Sequence, residues 1–521
     1  MTEAPPRTSG LVRRWRSESS LTQPDQLTRR PPGEAPPLSY AQERMWFLEQ
    51  YVPGTAAYNM WLAFRLLGPL DLAALEASLT ALVARYESLR MRFLTTPDGD
   101  PLVEVDPPGP VRWRVFDVTG ADDPVEAARS TLEPVAAEPF DLATGPLLRP
   151  LLVRLGPDDH AVCLVVHHIV CDGWSAELMR DQLLADYETA RAGRPIDQPS
   201  HPLDYGDYAR WQREQFDRGR FETGLAYWRR KLTGVPALQL PTDRPYPPAQ
   251  TVNGAGHTFR IDAELCQAVE RLGLANRATS FMTFLAAYQT LLSWWCDQDD
   301  FGVGVPVSGR DVPETESMVG LFVNTLVFRT DLSGDPTFRE LLVRVRQEAV
   351  EAYAHQQVPF ERVVGELPLD RDVRRPPVFQ VSFALQNYIP DRSRDDPGPG
   401  SLTVGSFGFD TPVTRHELVL YLYPEGDGLL GLVNYNTDLF DEATIAALFE
   451  RYVALLRQVV ADPDIRLSAV DLLTDEEHAT LRRFGDGDQG GDDTAVPSTW
   501  RLLTDPFDEW VARTPDAPAV V

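Results

Sequence analysis

The sequence predicts an α/β fold arranged as two lobes, and three observations carry that prediction. The chain has 521 residues, 43% apolar and 24% charged, which at roughly 100 to 200 residues per domain suffices for two to four compact units with ordinary cores. Strand-like and helix-like apolar periods alternate on both sides of a charged, then proline-rich, stretch between Gln212 and Asn253. A strand-to-helix pattern also recurs: Val165-Val166-His167-His168 precedes Asp172 and one helix, and Asn434-Tyr435-Asn436-Thr437 precedes Asp441 and another. A duplicated lobe accounts for that echo, as does an Asp N-cap at any strand-to-helix turn.

Residues 1–37 carry Pro5, Pro6, Pro24, Pro31, Pro32, Pro36 and Pro37 and no sustained apolar period. They read as an N-terminal tail or docking segment that cannot bury enough surface to order itself. From Asp71 to Arg90, Leu72, Leu75, Leu79, Leu82, Val83, Tyr86 and Leu89 fall at helical spacing behind an Asp N-cap. Ala161–Val166 is a short β-branched run and Trp174–Ala192 returns to helical spacing, so the two histidines sit where a strand feeds a loop and then a helix. The first lobe is placed at residues 38–215 and the second at 216–480. In the second, helices are predicted near Glu264–Leu274, Phe281–Trp295 and Phe338–His355, and a strand at Phe301–Pro306. Asp475–Ser498 turns acidic and glycine-rich, and Leu502–Val521 begins a unit too short for a core of its own. Residues 481–521 therefore read as a linker and the start of a truncated further domain.

Charge and composition exclude several function classes. With 49 Lys plus Arg against 77 Asp plus Glu, the net charge of −28 repels phosphate backbones and anionic lipid, so neither nucleic acid nor membrane is an expected partner. Cys163, Cys171, Cys266 and Cys296 include no C-x-x-C pair; neither a disulfide framework nor a cysteine zinc site is written here, and a reducing compartment is expected. With no stretch near the ~18 to 20 apolar residues that span a bilayer and no signal-peptide h-region, the chain reads as cytoplasmic.

The strongest chemical signal is His167-His168-Ile169-Val170-Cys171-Asp172-Gly173-Trp174-Ser175. A histidine exchanges a proton near neutral pH, an Asp can lock the loop by pairing with an Arg, and a glycine admits close backbone approach of a substrate. These types fit acyl transfer. A core histidine pair with an Asp N-cap fits the bare pattern as well, and His, His and Asp are all metal-ligand types, although zinc would want further ligands nearby. No G-x-S-x-G elbow supports Ser175 as a nucleophile. Gly485-Asp-Gly487-Asp-Gln-Gly490 matches G-x-G-x-x-G by letters, but it follows a helical segment and its two carboxylates would repel a pyrophosphate; it reads as linker.

From about Leu38 to Leu473 the chain resembles a condensation domain of nonribosomal peptide synthetases, within the chloramphenicol acetyltransferase-like superfamily. Ser39-Tyr-Ala41-Gln42-Glu-Arg44-Met-Trp46-Phe47-Leu48 resembles the family's first motif and Arg85-Tyr-Glu87-Ser-Leu89-Arg90-Met-Arg-Phe93 its second. His167 to Gly173 matches the signature HHxxxDG in full. Tyr205-Gly-Asp207-Tyr208-Ala209-Arg-Trp211-Gln212, Gly304-Val-Pro306-Val-Ser308-Gly309-Arg310, His355-Gln-Gln357-Val358-Pro359-Phe360-Glu361 and Pro377-Val-Phe379-Gln380-Val381-Ser-Phe383 are similar to later motifs, in order. Tyr86 stands where His is more usual and Met45 where Leu is. The A-Q-x-R and W-F-L spelling looks more like the subtype joining two L-configured residues (LCL) than like epimerization or dual-function relatives. Phe507 to Val521 is similar to the first residues of an adenylation domain.

The resemblance implies two acetyltransferase-like lobes in a V-shaped pseudo-dimer with the site at their junction. It implies peptide bond formation between a donor acyl or peptidyl thioester and an acceptor aminoacyl thioester, each on the phosphopantetheine arm of a carrier protein. No cofactor is expected to be bound covalently to this chain, and no metal. Donor and acceptor peptidyl carrier proteins are the expected partners, the donor in trans, with an adenylation domain downstream in the same polypeptide. His168 is the implied catalytic residue. Because an α-amine has a pKa near ~8, His168 is expected mainly to orient the amine and take its proton as the intermediate forms. His167 is expected to pack beneath the loop, and Asp172 to pair with Arg310. The N–H groups of Gly173 or Trp174 are expected to assist the oxyanion, and Ser308 to line the channel. Arg85 and Arg90 are expected in interlocking salt bridges. A fatty-acyl starter domain, a stand-alone acyl-CoA-dependent acyltransferase and a silent carrier-recruiting domain are the alternatives.

Overall fold

A computed structural model describes residues 26–197, 203–368, 374–386, 402–408 and 413–485. Up to Val470 the chain forms one unit carrying two larger sheets. The first is built from β1 (Asn59–Leu67), β4 (Arg114–Asp117), β5 (Leu148–Gly156), β6 (Asp159–His167) and β11 (Thr403–Ser406), in the order β11-β1-β6-β5-β4. The second is built from β7 (Gly254–Ile261), β8 (Val303–Val307), β9 (Asn324–Phe328), β10 (Val381–Leu385), β12 (Leu418–Glu425) and β13 (Gly428–Asn436), in the order β7-β13-β12-β10-β8-β9. A two-stranded ribbon, β2 (Met91–Thr95) with β3 (Pro101–Val105), completes the strands among the described residues.

The two sheets repeat one topology. β1 and β6, β6 and β5 run antiparallel, and β5 and β4 run parallel; β7 and β13, β13 and β12 run antiparallel, and β12 and β10 run parallel. Helix α2 (Leu72–Arg85) follows β1 and α4 (Gly173–Arg191) follows β6, as α7 (Ala263–Ala275) follows β7 and α11 (Glu442–Ala461) follows β13. His167 closes β6 and Asp172 caps α4; Asn436 closes β13 and Asp441 caps α11. The echo in the sequence is therefore a repeat of position in two like sheets.

Local chemistry explains where the helices start. Ser39 and Gln42 form a capping box at α1 (Tyr40–Tyr51), Asp71 accepts from the Ala73 and Ala74 N–H groups at α2, and Thr279 and Thr337 cap α8 (Ser280–Cys296) and α9 (Phe338–Ala354). The helix predicted over Asp71–Arg90 stops at Arg85, because Tyr86 is extended and Glu87–Arg90 forms a 3₁₀ turn into β2. The other helices are α3 (Pro124–Ala136), α5 (Tyr205–Asp217), α6 (Glu222–Leu232) and α10 (Phe360–Glu366).

The lobes exchange material across the boundary read from the sequence. α5 runs through 215/216, and β11, assigned to the second lobe, pairs with Phe64–Leu67 of β1 at the edge of the first sheet. Met318, Val319, Leu321 and Phe322 belong to the first core. Within the expected tail, Leu27 is buried and Arg30 pairs with Glu87 and with Asp207, the latter at 3.2 Å; no sequence pattern marks this, because one buried leucine makes no period. Arg85 forms the expected ion pair, 2.6 Å from Asp186. Arg90 departs from expectation, donating to the carbonyls of Val83 and Asp106 because the 3₁₀ turn lays it along backbone.

The second unit, from Asp471, contains α12 (Asp475–Gly485), where His478 Nε2 lies 2.8 Å from Asp471 Oδ2. Gly485 closes α12; the rest of the linker motif, the adenylation-like end and residues 1–25 lie outside the described residues. Among the described residues no helix is long and apolar enough to cross a membrane.

Candidate active site

The site begins with a strand that has no polar face. Every residue of β6 from His160 to His167 is buried, as a strand paired on both sides and covered on both faces requires. His167 is thus carried into the core. Its Nδ1 accepts from the Ile169 N–H at 3.2 Å, and Tyr58 and Phe140 meet its ring edge-on. Burial, with His168 and Arg415 nearby, pushes its pKa down to about 3.

His168 opens a 3₁₀ turn instead of continuing the strand. Its backbone N–H donates to Tyr58 O at 2.8 Å, and the residue keeps 8% of its surface exposed. Nδ1 lies 2.6 Å from Cys171 O. A carbonyl only accepts, so Nδ1 carries the proton and Nε2 is the lone-pair nitrogen. Burial, reinforced by the Arg415 charge, pushes the imidazole pKa down to about 3, so the ring is neutral at physiological pH.

Asp172 ties the loop to the second half of the chain. Oδ1 accepts from Ser175 N at 2.7 Å and Arg310 Nη2 at 3.2 Å, and Oδ2 from Phe322 N at 2.9 Å and Val323 N at 3.2 Å. Arg310 also donates to Thr315 O, to Met318 O at 2.8 Å and to Ser175 Oγ at 2.8 Å, and stacks 4.1 Å from the Phe322 ring centroid. This pair is buried but richly hydrogen-bonded, the condition under which a buried ion pair is tolerated. Ser175 Oγ exchanges hydrogen bonds with Gly320, so it braces the loop. The His-His-Asp trio does not converge as metal ligands would: Asp172 faces Arg310 and backbone amides, and both Nδ1 atoms are engaged. Gly173 opens α4, and Trp174 Nε1 donates to Glu316 O at 3.1 Å. Ser308 lies exposed just after β8. Gly309 between it and Arg310 has φ +63, and a Cβ there would meet Phe322 O at 1.9 Å, so only glycine lets the Arg310 loop pack.

Residues outside the predicted set complete the support. Gln42 Nε2 donates to Ile169 O at 3.1 Å, so the first motif holds the histidine loop, and Tyr40 N donates to Gln212 Oε1 at 3.1 Å, which joins it to the fourth. Asn324 donates to Gln356 O and Val358 O and accepts from Phe360 N. A cleft lined in part by Ala41, Trp211, Gly309, Gln357 and Glu361 gathers four separated motifs on one wall. Arg415, which no motif flagged, donates from Nε to Ala57 O at 3.0 Å beside the histidine loop.

A family model, Condensation domain, matches residues 34–482. The chain belongs to the condensation domain family. It is 39% identical over 491 residues to a linear gramicidin synthase polypeptide of Brevibacillus parabrevis, covering 93% of this chain and 9% of that protein. It is 39% identical over 495 residues to the chondramide synthase of Chondromyces crocatus, covering 94% and 12%. The chain thus spans about a tenth of the length of these relatives. Among solved structures it is similar to the X-domain from teicoplanin biosynthesis, with TM-score 0.78 and 30% identity over 86% of this chain and 100% of that one. It is likewise similar to the first condensation domain of the CDA synthetase, with TM-score 0.72 and 26% identity over 85% and 100%. The fold of this condensation domain is the acetyltransferase-like pseudo-dimer that the resemblance implied.

Proposed function

We propose that this condensation domain forms an amide bond between a donor acyl or peptidyl thioester and the free amine of an acceptor aminoacyl thioester. The observation that carries the reading is His168: a neutral imidazole, its tautomer fixed by Cys171 O, on a loop locked between the two halves of the chain. With Nδ1–H committed, Nε2 accepts a hydrogen bond from the acceptor amine and so turns the amine's lone pair toward the carbonyl. The amine nitrogen attacks, the C=O pair moves onto oxygen, and the N–H proton passes to Nε2 as positive charge develops. Collapse breaks the C–S bond, and the donor thiolate takes the proton back. A low imidazole pKa suits an orienting acceptor better than a strong ground-state base, and an α-amine with pKa near ~8 needs little deprotonation beforehand.

In this reading His167 supports the loop, Asp172 and Arg310 hold it, and the first-turn N–H groups at Gly173 and Trp174 assist the developing oxyanion at the positive end of α4. Ser308 lines the acceptor or donor path. Both thioesters arrive on phosphopantetheine arms of peptidyl carrier proteins, and the likeness of Phe507–Val521 to the start of an adenylation domain supports such a domain as the neighbour in the same polypeptide. The first-motif spelling favours the LCL subtype. The test is mass spectrometry of the acceptor carrier after mixing with a panel of loaded donor carriers. The acceptor should gain the donor acyl mass; transfer only from acyl-CoA to a soluble alcohol or amine would replace this reading with a stand-alone acyltransferase.

A further inference from the structure

Cations drawn into the interior are normally paired, and the half-buried Arg415 departs from that at an informative place. It lies in the segment 413–417 that leads into β12, fixed by the Asn253–Val413 bridge, by Thr414 N donating to Val252 O at 2.8 Å and by Thr414 Oγ1 donating to His416 O at 2.9 Å. The side chain crosses to the first half of the chain, where Nε donates to Ala57 O at 3.0 Å and the guanidinium lies 5.4 Å from the Tyr58 ring centroid. The next carbonyl, Tyr58 O, receives the His168 N–H at 2.8 Å. Arg415 and His168 therefore hang on consecutive carbonyls of one turn. Among the described residues Arg415 forms no ion pair, and Arg44, a second cation that acts on it and on His168, is itself 3.4 Å from Glu361.

A fixed guanidinium with Nη donors that make no hydrogen bond among the described residues, beside a neutral imidazole and with no ion pair among those residues, is arranged for negative charge that exists only during turnover. The proposed reaction makes two such charges there, the oxygen of the tetrahedral intermediate and then the leaving thiolate, and the oxygen is the one that must be held while the intermediate exists, since the thiolate is quenched by the proton on His168; the arm's phosphate lies at the opposite end from the thioester. We propose that Arg415 is a catalytic residue that receives the donor carbonyl oxygen and stabilises the oxyanion. The inference rests on the condensation reading and deepens it. As the amine adds, the carbonyl π pair becomes an O⁻ lone pair facing the guanidinium, and it returns to carbon when the C–S bond breaks. No proton moves to or from Arg415. Charge held in a site built beforehand is worth far more than in water, because nothing must reorganise when it appears.

The test uses the full chain and two probes linking donor-like and acceptor-like pantetheine chains: a phosphonamidate, tetrahedral and anionic, and the matched neutral amide. By calorimetry the wild-type protein should bind the phosphonamidate more tightly. R415Q should lose at least ~10-fold on the phosphonamidate and under ~3-fold on the amide, with R415K recovering part of the difference. Equal losses on both probes, or no preference in the wild type, would overturn the assignment. In single-turnover assays R415Q should slow amide formation ~100-fold at pH 8.5 as at pH 7, with an unchanged circular dichroism spectrum. A loss at pH 7 that recovers at pH 8.5 would show that Arg415 acts only by keeping His168 deprotonated, and would also overturn it. If the wild type forms no amide from any loaded donor, the condensation reading fails, while the calorimetric contrast still decides Arg415.

Discussion

His167 and His168 are neighbours with opposite surroundings, and one hydrogen bond each separates them. Nδ1 of His167 accepts from a backbone amide, whereas Nδ1 of His168 faces a carbonyl, so the free nitrogen of His168 is the one with a lone pair. His168→Ala should cut single-turnover amide formation by ~100-fold or more while the far-UV circular dichroism stays native; an unchanged rate would remove His168 from the chemistry. Asp172 predicts the reverse emphasis. Its loss leaves the buried Arg310 charge and the Phe322 and Val323 N–H groups unpaired, so Asp172→Ala should cost about 3 to 5 kcal/mol in denaturant unfolding, with activity lost alongside. A stable, inactive variant would instead give Asp172 a direct chemical role. The Asp172–Arg310 pair was available from resemblance alone. Gln42 stood in the first motif without a role and Arg415 in no motif at all, because a residue that acts by touching a backbone carbonyl far along the chain leaves no mark of that contact in spacing.

At the scale of elements, apolar period and caps located four of the five helices that were given bounds to within a residue or two, as Ser280–Cys296 against the predicted Phe281–Trp295 illustrates. Strand β11 escaped, since four residues beside a glycine carry no period, and nothing local says that they pair with β1 instead of a strand of their own half. Its contribution is testable. Val404 pairs with Leu66, and Val404→Pro blocks ladder hydrogen bonding at that edge. Amide hydrogen exchange at Phe64–Leu67 should quicken while β7 keeps its protection; unchanged protection at Phe64–Leu67 would mean that β11 adds no order to the first sheet.

At the scale of the molecule, three desolvated imidazoles set an acid limit. His167, His168 and His416 all have pKa values pushed down to about 3, mainly by burial, from an ordinary 6.5. Below pH 6.5 the unfolded chain binds these protons and the native state does not, so stability is full above that pH and falls as pH drops toward 3, at ~1 kcal/mol per pH unit per histidine. Asp204 works the other way: burial, with Glu87 and Asp207 nearby, raises it to about 6, so the native state gains a proton first and recovers roughly one histidine's share as pH falls through 6. The net expectation is a declining unfolding free energy from pH 6.5 to 5 in guanidinium titrations; a flat profile over that range would contradict the neutral, buried assignment.

Local period, caps and an ordered series of motifs were enough to establish the family, the α/β class, the strand-loop-helix that presents HHxxxDG and the pairing chemistry of its Asp. The folded molecule was needed to settle which nitrogen of His168 carries the proton, which strand completes the first sheet and where the Arg415 guanidinium, with no ion pair among the described residues, stands. The last two depend on atoms hundreds of residues apart, such as Ala57 and Arg415, meeting in a low-dielectric interior, and the first on a 3₁₀ turn that brings Cys171 O onto the His168 ring; no local apolar pattern encodes either.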